Sequence, residues 1–148
     1  MEQLKFSIKI NSPKAKVWQV MLNDETYRIW SEIFHPGSYY KGSWDEGSRI
    51  DFLGPTENGE MGMITRIKAN RKEEHISIEF LGMYINGEED YSSPEALAWK
   101  GGTENYTFIE ENGFTELIIL TEATEQFVDE FKNNWPKALN KIKELCEG

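Results

Sequence analysis

The stretch from Thr124 to Leu145 decides most about what this chain can build. Phe127, Phe131, Trp135, Leu139, Ile142 and Leu145 recur at spacings of three and four, which makes one apolar stripe on a helix. Thr124 is placed to cap that helix. Glu125 suits its positive end, and Lys137, Lys141 and Lys143 suit its negative end. About 22 helical residues would span about 33 Å. Pro136 inside the helix removes one hydrogen bond and predicts a kink. A long helix with a one-sided apolar face needs a covering layer of similar length, and the rest of the chain supplies strands.

Leu4 to Ile10 alternates apolar and polar residues, the pattern of a half-buried strand. Asn11-Ser12-Pro13 then switches to a helix with Ser12 as N-cap and Pro13 in its first turn. Val17, Trp18, Met21 and Leu22 follow at helical spacing. Asn23-Asp24 breaks that helix, and Asp24 can cap a second short one carrying Tyr27 and Trp30. Beyond His35-Pro36-Gly37 the chain is punctuated by glycines, which predicts short strands and turns. Strands are expected over 47–53, ending in a turn at Gly54-Pro55 and Asn58-Gly59, and over 60–68 and 74–81. Residues 82–101 show no period and read as a long loop with one helical turn at Pro94–Leu97. A loop of that length suggests a lid. Strands over 103–110 and 114–121, joined at Asn112-Gly113, make a strong hairpin signal. The order is thus β-α-α, five or six further strands, then one helix. It predicts an α+β fold, with a curved antiparallel sheet and a long helix laid across it.

The 148 residues suit a single domain spanning 1–148, and 39% hydrophobic content with 13% aromatics excludes disorder. The net charge of −10 disfavours nucleic acid and anionic membranes as main partners. No run of apolar residues is long enough for membrane insertion. Met1-Glu2-Gln3-Leu4-Lys5 lacks a signal-peptide pattern, and a single cysteine allows no intrachain disulfide. Both fit a cytoplasmic location.

Motifs for catalysis are scarce. Gly54 to Gly62 lacks the Gly-Lys-Ser/Thr ending of a phosphate loop, and no Gly-x-Ser-x-Gly elbow exists. Two histidines and one cysteine do not make an ordinary zinc site, and no metal or cofactor is implied. His35, in a loop among aromatics, and Glu104, which faces inward if Tyr106 and Phe108 do, are the candidate acid/base groups. The aromatic load says more. Trp30, Trp44, Phe52, Met63, Phe80, Tyr84, Trp99, Tyr106, Phe127, Phe131 and Trp135 are the candidate walls of a ligand cavity between sheet and helix.

Four segments carry a family resemblance: Ile10-Asn11-Ser12-Pro13-Lys14-Ala15-Lys16-Val17-Trp18, Tyr27-Arg28-Ile29-Trp30, Lys41-Gly42-Ser43-Trp44-Asp45-Glu46-Gly47-Ser48, and Phe131-Lys132-Asn133-Asn134-Trp135-Pro136-Lys137-Ala138-Leu139. Together they resemble the START-like or SRPBCC superfamily, in the branch similar to the C-terminal domain of the Hsp90 ATPase activator. The resemblance implies a helix-grip fold, with a six- or seven-stranded sheet gripping the C-terminal helix around a hydrophobic cavity. Superfamily members bind lipids, sterols, hormones or polyketides, and some are cyclases or dehydratases. No invariant catalytic motif carries over. The eukaryotic activator has a further N-terminal domain, for which this sequence has no room, and that argues against co-chaperone activity.

The leading expectation is therefore a module, monomeric or homodimeric, that binds a small apolar or amphipathic molecule, with the balance against an enzyme and that question left open. The first alternative is a polyketide cyclase- or dehydratase-like enzyme in the same cavity. It would need at least two of His35, Glu104 and Tyr106 within hydrogen-bond reach. The second is a chaperone-contacting domain, which would need an exposed patch of some hundreds of Å².

Overall fold

The computed structural model describes all residues from Met1 to Gly148. The opening alternation forms strand β1 (Glu2–Ile10), which buries Leu4 and Ile10. Helices α1 (Lys14–Leu22) and α2 (Asp24–Trp30) follow, and α2 runs on as a 3-10 turn over Ser31–Ile33. Their caps differ from expectation by one residue each. Pro13, not Ser12, is the N-cap of α1, its carbonyl accepting the Lys16 and Val17 amides. Ser12 is buried instead, and its carbonyl takes the Thr115 hydroxyl at 2.8 Å. Asn23, not Asp24, caps α2. Its backbone is extended and its Oδ1 accepts the Glu25 amide at 3.1 Å.

The remaining strands are β2 (Tyr39–Gly42), β3 (Arg49–Thr56), β4 (Gly59–Arg71), β5 (His75–Ile85), β6 (Glu88–Asp90), β7 (Thr103–Glu111) and β8 (Phe114–Ala123). They form one antiparallel eight-stranded sheet in the order β1-β8-β7-β5-β4-β3-β2, with β6 paired to β5. That is one strand more than the six or seven expected. β3 passes through Gly54-Pro55, where a turn was expected. β2 pairs only as far as Leu53, so Pro55 has a neighbour on the β4 side alone and needs no amide on the other.

Residues 82–101 are not one structureless loop. β5 continues to Ile85, Asn86-Gly87 makes a tight turn into β6, and α3 (Pro94–Trp99) follows with Ser93 as its N-cap. Alternation failed as a guide here because β5 bulges. Ile64 pairs with Gly82 but Thr65 pairs with Phe80, leaving Leu81 extra.

Helix α4 (Val128–Glu147) is introduced by a 3-10 turn at Glu125–Phe127. Thr124 gives that turn its carbonyl but no side-chain cap. The helix runs through Pro136, which lies on its exposed side, and rests against β1, α1 and α2. Its stripe divides along its length. Trp135, Leu139 and Ile142 are buried, whereas Phe127, Phe131 and Leu145 are half-buried. The core divides too. A large cluster around Met21, Ile67, Ile119 and Leu139 fills one end, and a small one around Leu4, Phe80 and Trp99 fills the other.

Candidate functional site

Between the two clusters lies a cavity of about 230 Å³, lined by 22 residues of which 15 are hydrophobic. α2 and its extension bring Tyr27, Trp30 and Phe34, and the sheet brings Phe52, Met63, Phe80, Met83 and Tyr106. α3 adds Trp99, and α4 with its lead-in turn adds Phe127, Phe131 and Trp135. The rings pack edge-on or tilted, as aromatic quadrupoles prefer, with Phe34–Trp135 at 5.0 Å and Phe80–Trp99 at 5.3 Å. Exposed Met61 and Glu130 and half-buried His35 mark the mouth.

Nine of the eleven candidate wall residues line this cavity, and Trp44 and Tyr84 do not. Trp44 caps a helix end instead: its Nε1 donates to the Leu22 carbonyl at 3.1 Å, beside the Tyr40 hydroxyl at 2.7 Å. Tyr84 and Phe80 are an even number of residues apart, a spacing that in an unbroken strand puts both side chains on one face. The extra residue Leu81 reverses that parity, so Met83 faces the cavity and Tyr84 faces outward. There its hydroxyl sits 3.4 Å from Arg49 and 3.3 Å from Glu89, in an ion-pair network that includes buried Asp51. Tyr27, Phe34 and Met83 are wall residues that sequence reasoning missed. Tyr27, Trp30, Ser31 and Phe34 do follow helical spacing, and that signal could have found two of them.

The polar content of the cavity is small. Glu104 is enclosed by protein yet keeps part of its surface accessible, as a group facing an internal space does. The Tyr106 hydroxyl donates to its Oε2 at 2.6 Å and the Thr121 hydroxyl to its Oε1 at 2.9 Å. Burial pushes the Glu104 carboxyl above the usual carboxylate range, and the two hydroxyl donors pull it partly back. Burial and the neighbouring Glu104 hold both Tyr106 and Tyr27 far above the ordinary phenol value, so both rings stay neutral.

His35 and Glu104 line the same cavity, but no hydrogen bond joins them. His35 Nε2 lies 2.8 Å from the Pro55 carbonyl, an acceptor only, which places the proton on Nε2. Its ring lies directly on Gly54, where an added Cβ would come within 2.3 Å of Cδ2. Ser31 Oγ and the indole nitrogens of Trp99 and Trp135 are buried without partners. None of the three has accessible surface, so none is offered to the cavity as it stands. No group of three or more His, Cys, Asp or Glu side chains is arranged to hold a metal ion. The buried Cys146 thiol is pushed up to about 11, chiefly by desolvation, and is a poor nucleophile.

No family model matches the chain, and no curated protein does. Solved structures match it over nearly its whole length. Protein MLL2253 from Mesorhizobium loti superposes with a TM-score of 0.73 at 13% identity, covering 99% of this chain and 97% of its own. The Aha1 dimer from Colwellia psychrerythraea gives 0.70 at 16% identity, covering 99% and 97%. CalU16 from Micromonospora echinospora gives 0.65 at 16% identity, covering 97% and 75%. At these identities the likeness establishes a shared α+β helix-grip fold. No helix is long and apolar enough to cross a membrane.

Proposed function

We propose that this chain, acting as a single domain, binds a small apolar or amphipathic molecule between the sheet and α4. The observation that carries this reading is the cavity itself, an apolar space of about 230 Å³ between the sheet and α4 that opens at the mouth marked by Met61, Glu130 and His35. Membership of the SRPBCC superfamily, which the four sequence segments suggest and the shared fold supports, points the same way. The nine cavity-lining residues singled out from sequence are then the ligand contacts. Native mass spectrometry of the freshly purified protein is expected to show a bound small molecule. Apolar probes should shift the emission of Trp30, Trp99 and Trp135. A protein that carries nothing and responds to no probe would overturn the reading.

A second reading, acid/base catalysis, is favoured by one observation. Glu104 and Tyr106 are a hydrogen-bonded pair inside the main cavity, which meets the condition set for an enzyme. Tyr106 stays neutral, so Glu104 alone would move protons. A ligand recovered chemically changed by the wild type but unchanged by Glu104→Gln would establish catalysis. The neighbour described as an Aha1 dimer makes self-association worth measuring by sedimentation.

A further inference from the structure

The cavity contains one group able to hold a charge deep in its wall, and that group is an acceptor. Glu104 receives only two neutral donors, Tyr106 on its own strand and Thr121 on β8. Each carboxylate oxygen accepts one of these bonds, and its second lone pair has no partner among the protein's own groups. No lysine or arginine is among the 22 lining residues, and neither of the two hydroxyls can carry positive charge. The other titratable wall groups are Tyr27 on α2, facing Glu104 and neutral, with His35 and Glu130 at the mouth. A second anion brought into this space would meet like charge in a desolvated setting with nothing to offset it. A cation would meet a carboxylate and the faces of aromatic rings, both of which attract positive charge. Glu130 at the rim and the net charge of −10 favour the same sign on approach.

We infer that the ligand is an organic cation, an aromatic or aliphatic body carrying an ammonium group that docks on Glu104. The inference rests on the ligand-binding reading above and narrows it. It sets the cavity apart from a container for fatty acids or other carboxylate lipids. The body lies among Trp30, Phe80, Phe131 and Trp135, while the ammonium takes the free lone pairs of Glu104. Binding then competes with protonation of that carboxyl, so affinity rises with pH until the amine itself loses its proton.

Three shape-matched probes separate the possibilities: 1-naphthylmethylamine, 1-naphthalenemethanol and 1-naphthoate, titrated against the full chain by tryptophan fluorescence and calorimetry. The amine is expected to bind about tenfold tighter than the alcohol, and the carboxylate weakest, the margin of a charge-assisted bond in a dry site. Glu104→Gln should bring the amine-to-alcohol ratio close to one. Should that variant fold poorly, a pH series on the wild type gives the same information, since acidification should weaken the amine and leave the alcohol unchanged. Alcohol bound with no preference for the amine overturns the inference while leaving the ligand-binding reading intact. So does an amine preference that survives Glu104→Gln and fades in salt, because it then comes from overall charge. Failure of all three probes overturns the inference, and overturns the ligand-binding reading as well when the purified protein carries no small molecule.

Discussion

Tyr106 donates its hydroxyl to Glu104 across 2.6 Å, the two residues being neighbours on the inward face of β7. The ring is 2% exposed, so Tyr106→Phe leaves the packing intact and removes only the donor. A hydrogen bond to the charged form favours that form, and its loss should raise the Glu104 carboxyl further. A carbon-detected NMR titration of the Glu104 side chain is expected to move upward in the variant. The folded state should lose about 1–3 kcal/mol at pH values above the raised Glu104 range, where the carboxyl is ionised, and less where it is protonated. An unchanged titration would mean the bond contributes nothing in solution.

Glu104 also sets a pH dependence of stability whose sign follows from burial. Its proton is held more tightly in the folded chain than in the unfolded one. Its stabilising contribution is therefore complete below the ordinary glutamate range and is lost as pH rises through the raised value. Glu89, Asp90 and Glu147 are held low by hydrogen-bond partners and act in the opposite sense, losing stability on acidification. The difference between wild type and Glu104→Gln isolates the one group. Urea denaturation across that range is expected to show the variant gaining on the wild type as pH rises. A constant difference would place Glu104 in a solvated setting.

The parts of this molecule that were legible in the sequence are those where one period persists. Leu4–Ile10, the hairpin at Asn112-Gly113 and the stripe through Trp135 and Leu139 each keep their spacing long enough to define a face. The inward placement of Glu104 followed from the same alternation, through Tyr106 and Phe108. What was not legible depends on a break in period. The extra residue at Leu81 exchanges Tyr84 for Met83 at the cavity, and nothing local in Phe80-Leu81-Gly82 marks the bulge. Trp44 was misplaced for another reason. Its indole satisfies the Leu22 carbonyl 22 residues earlier, a tertiary partner that no local pattern shows.

Phe131 and Leu139 sit two turns apart on one stripe and test whether the cavity is real. Leu139 is 3% exposed within the larger cluster, so Leu139→Ala should cost about 2–5 kcal/mol. Phe131 is half-buried and borders the cavity, with fewer contacts to lose. Although it is the larger side chain, Phe131→Ala should be the milder change, at about 1–3 kcal/mol. Calorimetric unfolding of the two variants decides the order. A reversed order would show the ring fully packed and the cavity closed in solution.

The segment from Gly82 to Gly101 should exchange amide hydrogens as two populations rather than one. At its end, Gly101 donates to the Phe80 carbonyl and Phe80 to the Gly102 carbonyl, both at 2.9 Å, so that stretch is held as a strand is. Trp99, 4% exposed, anchors α3 in the smaller core cluster. Between them, Asn86 takes a left-handed conformation, and the Ser92 and Ser93 amides bond only to the Asp90 side chain, which is readily opened to water. Fast exchange is therefore expected at Ser92 and Ser93, and slow exchange at Phe80, Lys100 and Gly101. Trp99 is a wall of the cavity, so a bound ligand should slow α3 more than it slows the Asn86-Gly87 turn. If ligand slows the turn and leaves α3 unchanged, entry is controlled by the β5–β6 end and Trp99 is a fixed wall. If the whole segment exchanges fast without ligand, Trp99 is not anchored and the cavity lacks its far side.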